Sequence, residues 1–127
     1  MFINYTKINT SYGELDISNI PRSIDIETPD GMKPVQYINN RCSGYAKIAL
    51  IFTNEVRVDC DKYQIFFTRE GENVYASKLK DGDFVLNKEG PWRIKLKKIV
   101  LNKDRYYGIC PYSLNGKYYL SNGLLVK

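Results

Sequence analysis

The sequence predicts an all-β fold of short strands arranged as two similar halves. Three observations carry that expectation. Strand-type runs dominate, and no stretch sustains the period of a long helix. Glycine-bearing turn signals punctuate the chain from end to end. A spaced set of Thr, Gly and apolar residues in the first half returns in the second.

In chain order, Asp16-Ile17-Ser18-Asn19-Ile20 is long enough only for a helical turn, and Thr28-Pro29-Asp30-Gly31 is a turn signal. Lys47-Ile48-Ala49-Leu50-Ile51-Phe52-Thr53 is a compact apolar run, and Glu55-Val56-Arg57-Val58-Asp59-Cys60 alternates with period two; both read as strands. Asn54 between them suits the tight turn of a hairpin. Gln64 to Thr68 is a further strand, followed by the turn Arg69-Glu70-Gly71 and a second helical turn at Tyr75-Ala76-Ser77-Lys78-Leu79. Strands are expected at Phe84 to Leu86, Trp92 to Leu101 and Tyr106 to Cys110. Lys80-Asp81-Gly82-Asp83, Lys88-Glu89-Gly90-Pro91, Leu114-Asn115-Gly116 and Asn122-Gly123 supply the turns.

The repeat ties these elements together. Thr10, Gly13, Ile20, Gly31 and Val35 recur as Thr68, Gly71, Leu79, Gly90 and Ile94, at an offset of roughly 58–59 residues. In each copy a strand ends at Thr, a Gly turn follows, a helical turn places one apolar residue inward, and a second strand meets another Gly turn. Half a chain of 127 residues is too small to bury a core alone, so the halves should share one across a pseudo-twofold axis, as a single domain 1–127.

Composition narrows the class. Hydrophobic residues at 43% and charged residues at 26% are ordinary for a globular protein. No apolar run approaches a membrane span, and Met1-Phe2-Ile3-Asn4-Tyr5-Thr6-Lys7 lacks the apolar stretch and cleavage site of a signal peptide. The expectation is a cytoplasmic protein with no membrane partner. Cys42, Cys60 and Cys110 are odd in number and show no C-x-x-C spacing, which argues for buried thiols over a disulfide framework or a zinc cage. No phosphate loop, zinc motif or carboxylate helix is visible, so neither metal nor cofactor is expected. The net charge of +5 is compatible with weak, salt-sensitive contact with nucleic acid. The basic residues are scattered apart from Arg93, Lys95, Lys97 and Lys98, whose alternation with Ile94, Leu96 and Ile99 reads as a strand's solvated face. Abundant Lys, Asn, Ile and Tyr point to AT-rich codons, as in an AT-rich bacterial or phage genome.

Three regions carry a family resemblance. Lys117-Tyr118-Tyr119-Leu120-Ser121-Asn122-Gly123-Leu124-Leu125-Val126-Lys127 resembles the C-terminal signature of Hint (hedgehog/intein) domains, in which an aromatic strand and an Asn-Gly turn lead into Leu-Leu-Val. Tyr5-Thr6-Lys7-Ile8-Asn9-Thr10-Ser11-Tyr12-Gly13 looks like the intein opening, a nucleophile followed by an Asp-Thr pair, a strand and a Gly turn. Val58 to Thr68, followed by Ala76-Ser77-Lys78-Leu79-Lys80-Asp81-Gly82-Asp83, resembles the Thr-x-x-His strand and the Ala-x-x-Leu-x-x-Gly-Asp turn. The resemblance covers nearly the whole chain and implies the horseshoe of the Hint fold, with neighbouring termini.

It also implies a chemistry, protein splicing. A thiol or hydroxyl at the first residue attacks the preceding carbonyl, a middle-region His with its Thr acts as acid/base, and a terminal Asn cyclises beside a penultimate His. The matching positions here carry other residues. Met1 stands at the nucleophile, and a thioether cannot attack. Tyr5 replaces the Asp before Thr6, Asp61 the Thr, and Gln64 the His; Gly116 falls near a further His position, and Lys127 takes the penultimate His. There is no histidine in the chain. A Gln cannot exchange a proton near neutral pH, and at best holds a carbonyl by hydrogen bonding. Each lost acid/base group typically costs about 10²–10⁴-fold in rate.

The expectation is a degenerate Hint domain that no longer processes protein, with a structural or protein-binding role in a phage or bacterial assembly. Residual cleavage dependent on flanking residues, and a basic nucleic-acid-binding module, are the alternatives. Cys60 and Cys110 are expected to pack in the core, although Lys62 is close in sequence to Cys60. In Asp81-Gly82-Asp83, Gly82 is expected to turn the chain with positive φ and Asp83 to hold backbone N–H groups. Of Tyr106-Tyr107 and Tyr118-Tyr119, one member of each pair should face inward, leaving the other as a contact candidate.

Overall fold

A computed structural model describes residues 6–16, 19–42, 46–101, 106–111 and 116–127; for 36–42 and 106–111 it describes the backbone alone. The first half opens with β1 (Lys7–Thr10) and β2 (Gly13–Asp16), an antiparallel hairpin. The Thr10 hydroxyl shapes its turn, accepting the Tyr12 N–H at 3.1 Å and donating to the Gly13 carbonyl at 2.7 Å. The hairpin of β3 (Ser23–Thr28) and β4 (Gly31–Cys42) uses the same device: Thr28 accepts from the Asp30 N–H at 3.1 Å and donates to the Gly31 carbonyl at 2.7 Å.

The second half repeats the plan. β7 (Ile65–Phe67) and β8 (Asn73–Tyr75) form a hairpin, a 3₁₀ turn follows at Ala76–Lys78, and β9 (Phe84–Val85) pairs with β10 (Trp92–Leu101). Here Asn87 stands where Thr28 stood, its Oδ1 accepting the Glu89 N–H at 3.0 Å. The halves exchange strands. β5 (Ala46–Phe52) leaves the first to pair with β10, and β11 (Tyr106–Pro111) leaves the second to pair with β4. β6 (Arg57–Cys60) flanks β5, while β12 (Tyr118–Tyr119) and β13 (Leu125–Val126) close onto β7.

The result is three antiparallel sheets, ordered β11-β4-β3-β1-β2, β6-β5-β10-β9 and β12-β13-β7-β8. One buried cluster joins them, running from Ile8 through Phe52, Phe66 and Ile94 to Val126. The repeat is visible in it: Val35 and Ile94 are both buried, as is Leu79, and Ile20 packs against the cluster. The all-β expectation and the paired halves are what the chain adopts.

Several details differ from the sequence reading. The hairpin after β5 is a wider turn, in which Asn54 Oδ1 accepts the Val56 N–H at 3.1 Å but Glu55 takes the left-handed conformation, φ 69°. Strand β4 was visible only through the repeat, because Gln36-Tyr37-Ile38-Asn39-Asn40-Arg41 has no apolar alternation; its ladder to β11 supplies the order. The basic stretch of β10 is not an evenly solvated face. A register shift between Ile94 and Leu96 re-aims the side chains, so that Lys97 is half-buried while Ile99 is 67% exposed. The helical turn at Tyr75–Leu79 is present as the 3₁₀ turn, whereas in 16–20 residues 17–18 lie outside the described residues and Asn19 is in a 3₁₀ turn. The turn expected at 114–116 also lies largely outside them.

Candidate functional site

The segment from Asp59 to Ile65 brings the expected positions together. Asp61 Oδ1 accepts the Tyr63 N–H at 3.0 Å, and the Asp61 carbonyl accepts the Gln64 N–H at 3.4 Å, so Asp61 shapes the turn into β7. The Gln64 carbonyl then accepts the Ala76 N–H at 2.9 Å, which fixes the strand against the 3₁₀ turn. This leaves Gln64 3% exposed, at the place where the resemblance expects His. A buried amide must be hydrogen-bonded. Gln64 Nε2 donates to the Ile65 carbonyl and to the Lys127 carbonyl, each at 3.1 Å.

Lys127 reaches that contact because β13 pairs with β7 at Val126 and Phe66, and because the Lys127 N–H donates to the Ile65 carbonyl at 3.1 Å. The opening strand lies alongside the closing segment. Ile8 bridges to Leu120, and the Ser121 N–H donates to the Lys7 carbonyl at 3.1 Å. The Thr6 hydroxyl donates to the Asp59 carbonyl at 3.4 Å. Met1 and Tyr5 lie outside the described residues. Gly116 sits in a bend, and next to it the Lys117 ammonium lies 4.7 Å from the centre of the Phe67 ring. Gln64 and Lys127 therefore meet, Asp61 organises their approach, and Gly116 is placed at the start of the run into β12.

Cys60 is fully buried. Burial pushes its thiol well above the usual range, and the Asp61 and Asp59 carboxylates push the same way. Such a thiol is a packing group and a poor nucleophile. Neighbouring Asp59 is buried too, held by Arg57 Nε at 2.8 Å and Lys47 Nζ at 3.5 Å. The side chains of Cys42, Cys110, Tyr106 and Tyr107 lie outside the described residues. Tyr118 is buried and Tyr119 half-buried, which follows the expected alternation.

Asp81-Gly82-Asp83 is a turn device. Gly82 has φ 88°, Asp83 Oδ2 accepts the Lys80 N–H at 2.9 Å, and Asp81 Oδ1 accepts the Lys97 N–H at 2.7 Å. Among the described residues no group of three or more His, Cys, Asp or Glu side chains could hold a metal. No helix among them is long and apolar enough to cross a membrane.

The sequence assigned no part in this arrangement to two contributors. Lys97 Nζ donates to the Ser77 and Leu79 carbonyls, each at 2.9 Å, and so secures the 3₁₀ turn behind Gln64. Asn87 Nδ2 donates to the Asn122 carbonyl at 3.0 Å and so secures the turn that delivers β13. The repeat held the clue to Asn87, which occupies the place of Thr28. Lys97 carried no such signal.

No protein-family model and no curated protein matches the chain. Solved structures do. A bacterial intein-like domain from Clostridium thermocellum shares 19% identity over 98% of this chain and 96% of its own, with a TM-score of 0.76. The gp41-1 intein shares 20% identity over 98% and 95%, with a TM-score of 0.79. The MchDnaB-1 intein shares 16% over 99% and 98%, with a TM-score of 0.76. At these identities the likeness is one of fold, and it spans essentially the full length of each partner. The chain has the intein-like Hint fold.

Proposed function

We propose that the chain is an intein-like domain that no longer carries out protein splicing and serves a structural or protein-binding role. The observation that carries this reading is Gln64. It is buried at the position of the expected acid/base His, and both hydrogens of its amide nitrogen are directed to carbonyls. A carboxamide in that place binds and orients but does not transfer protons. The buried Cys60 offers no substitute, and the sequence has no His to recruit from elsewhere.

Exposed aromatic surface beside the site supports the protein-binding part. Tyr63 and Tyr75 stand edge to face at 6.2 Å, next to a hollow of about 120 Å³ lined by Ile65, Asn73, Val74 and Tyr75. Many basic side chains are committed within the fold, including Lys47 and Arg57 to Asp59, Lys88 to Glu27 and Lys95 to Glu55. This weighs against a dedicated nucleic-acid stripe. Abundant Lys, Asn, Ile and Tyr, whose codons are AT-rich, fit a phage or bacterial setting.

The test is the intact mass of the domain expressed between two unrelated flanking proteins, with and without added thiol. One uncleaved mass is expected. Released flanks, or a joined-flank product, would overturn the reading.

A further inference from the structure

We infer that Gln64 is a backbone clamp for the chain leaving the domain, a role that rests on the inactive reading above. Its two amide hydrogens point to different parts of the fold. One meets the adjacent Ile65 carbonyl, and the other meets Lys127, 63 positions away, each at 3.1 Å. The Lys127 N–H returns to the same Ile65 carbonyl at 3.1 Å. Gln64 Nε2, Ile65 O, Lys127 N and Lys127 O therefore close a ring.

The register explains what the ring does. Val126 faces Phe66 in an antiparallel pair, so Lys127 lies opposite Ile65, and any residue after it is directed past Gln64 toward Tyr63. At that point the Gln64 carboxamide supplies an N–H where the next rung of the ladder needs a donor. A neutral imidazole has one N–H and could not serve both carbonyls, whereas a carboxamide nitrogen has two. Exchanging His for Gln thus trades proton transfer for a second donor. The ligand is the extended backbone at the domain's C-terminal exit, taken at the Lys127 carbonyl and without regard to side-chain identity.

Amide hydrogen exchange tests this on the full chain followed by a short polar flank. In Gln64→Met, which keeps the volume and loses the donors, the Lys127 carbonyl is no longer held, and the Lys127 amide in the same ring should exchange roughly five- to tenfold faster as that end of the ladder opens more often. Amides of the β5–β10 ladder should keep their rates. Gln64→His, which keeps one donor, should recover part of the protection at Lys127. Equal rates at Lys127 in all three proteins would overturn the clamp. Should Gln64→Met fail to fold, the unmodified protein still decides: carboxamide protons of Gln64 exchanging as fast as those of exposed Asn73 overturn it, and slow ones, together with a partial loss in Gln64→His, support it. Unchanged exchange with an intact mass would remove only the clamp. Cleavage of the flanked protein would remove the inactive reading beneath it.

Discussion

Gln64 and Cys60 are both buried, and burial acts on them in opposite ways. The amide keeps its full donor capacity because carbonyls meet it, while the thiol is held in its protonated form. Two expectations follow at this scale. Gln64→His alone should leave the flanked protein uncleaved, because an imidazole without an attacking group at Met1 has no proton to take; intact mass reads the outcome, and any released flank would contradict it. Cys60 should resist a small alkylating reagent in the folded protein and react only on unfolding, since the thiolate is the reactive form and is scarce here. Peptide mapping after labelling under native conditions and in denaturant checks this, and prompt native labelling of Cys60 would refute it. The sequence made the identity of these residues plain through their place in the family pattern. The partner of Gln64 was less visible, because a contact between residues 64 and 127 depends on how β13 is laid against β7.

At the level of elements, turns rather than strand interiors set the register. Thr10, Thr28 and Asn87 each accept the N–H two residues on, and each starts a hairpin or a turn into one. The Asn122-Gly123 turn is tied to one of them. A Cβ added at Gly123 would lie 2.9 Å from Asn87 Oδ1, on a backbone with φ 87°. Gly13 shares the positive φ, at 94°, but has open space around it. Gly13→Ala should therefore lose about 1–2 kcal/mol, the ordinary cost of the left-handed conformation for a residue with a side chain. Gly123→Ala should lose clearly more, because Asn87 must give up its bond to Asn122. Urea midpoints of the two variants test the order, and equal losses would show that the Asn87 contact is unimportant.

Elements also show where sequence reading stops. β5, β6, β7 and the start of β10 carry apolar side chains in a pattern tied to burial, and all were legible. β4 showed only through the repeat, and β10 was legible in extent but not in the facing of its far end. The first is held by its ladder to β11, and the second passes a bulge beyond which Ile99 and Leu101 stand 67% and 81% exposed. Polar or exposed strands of this kind are specified by their neighbours, and a single sequence does not display its neighbours.

For the molecule as a whole, the bond between the halves has a charged component and an apolar one. Glu27 of β3 accepts from Asn9 Nδ2 at 2.9 Å and pairs with Lys88 of the second half. The Lys88 ammonium, and then Asn9, hold the Glu27 carboxyl below its ordinary value of 4.5. A depressed carboxyl contributes stability above its unfolded value and loses it as pH falls through its folded value. Glu27→Gln should thus melt below the natural protein at neutral pH, and the gap should close as the pH falls below the ordinary carboxylate range and through the depressed value of the folded state. Lys88 is exposed and Glu27 half-buried, so the direction of the change is the test. A gap that persisted in acid would show that another interaction of Glu27 is responsible.

The apolar component is larger and is set by strand exchange. β5 pairs with β10 and β4 with β11, so each half completes its sheets with a strand from the other. Separating the halves would bare Ile48, Leu50 and Phe52 on one side and Ile94 on the other, all buried in the intact chain. Each such side chain is worth about 1.5–3 kcal/mol of burial, comparable in sum with the whole stability of a small domain. Fragments 1–60 and 61–127 should therefore each lack a cooperative thermal transition when alone. Mixed in equal amounts, they should regain a sheet-type circular dichroism spectrum and a shared melting transition, because the β5–β10 and β4–β11 ladders can form only between the two fragments. A fragment that melts cooperatively by itself would mean that one half closes its own core, and that the exchange decorates the fold without holding it together.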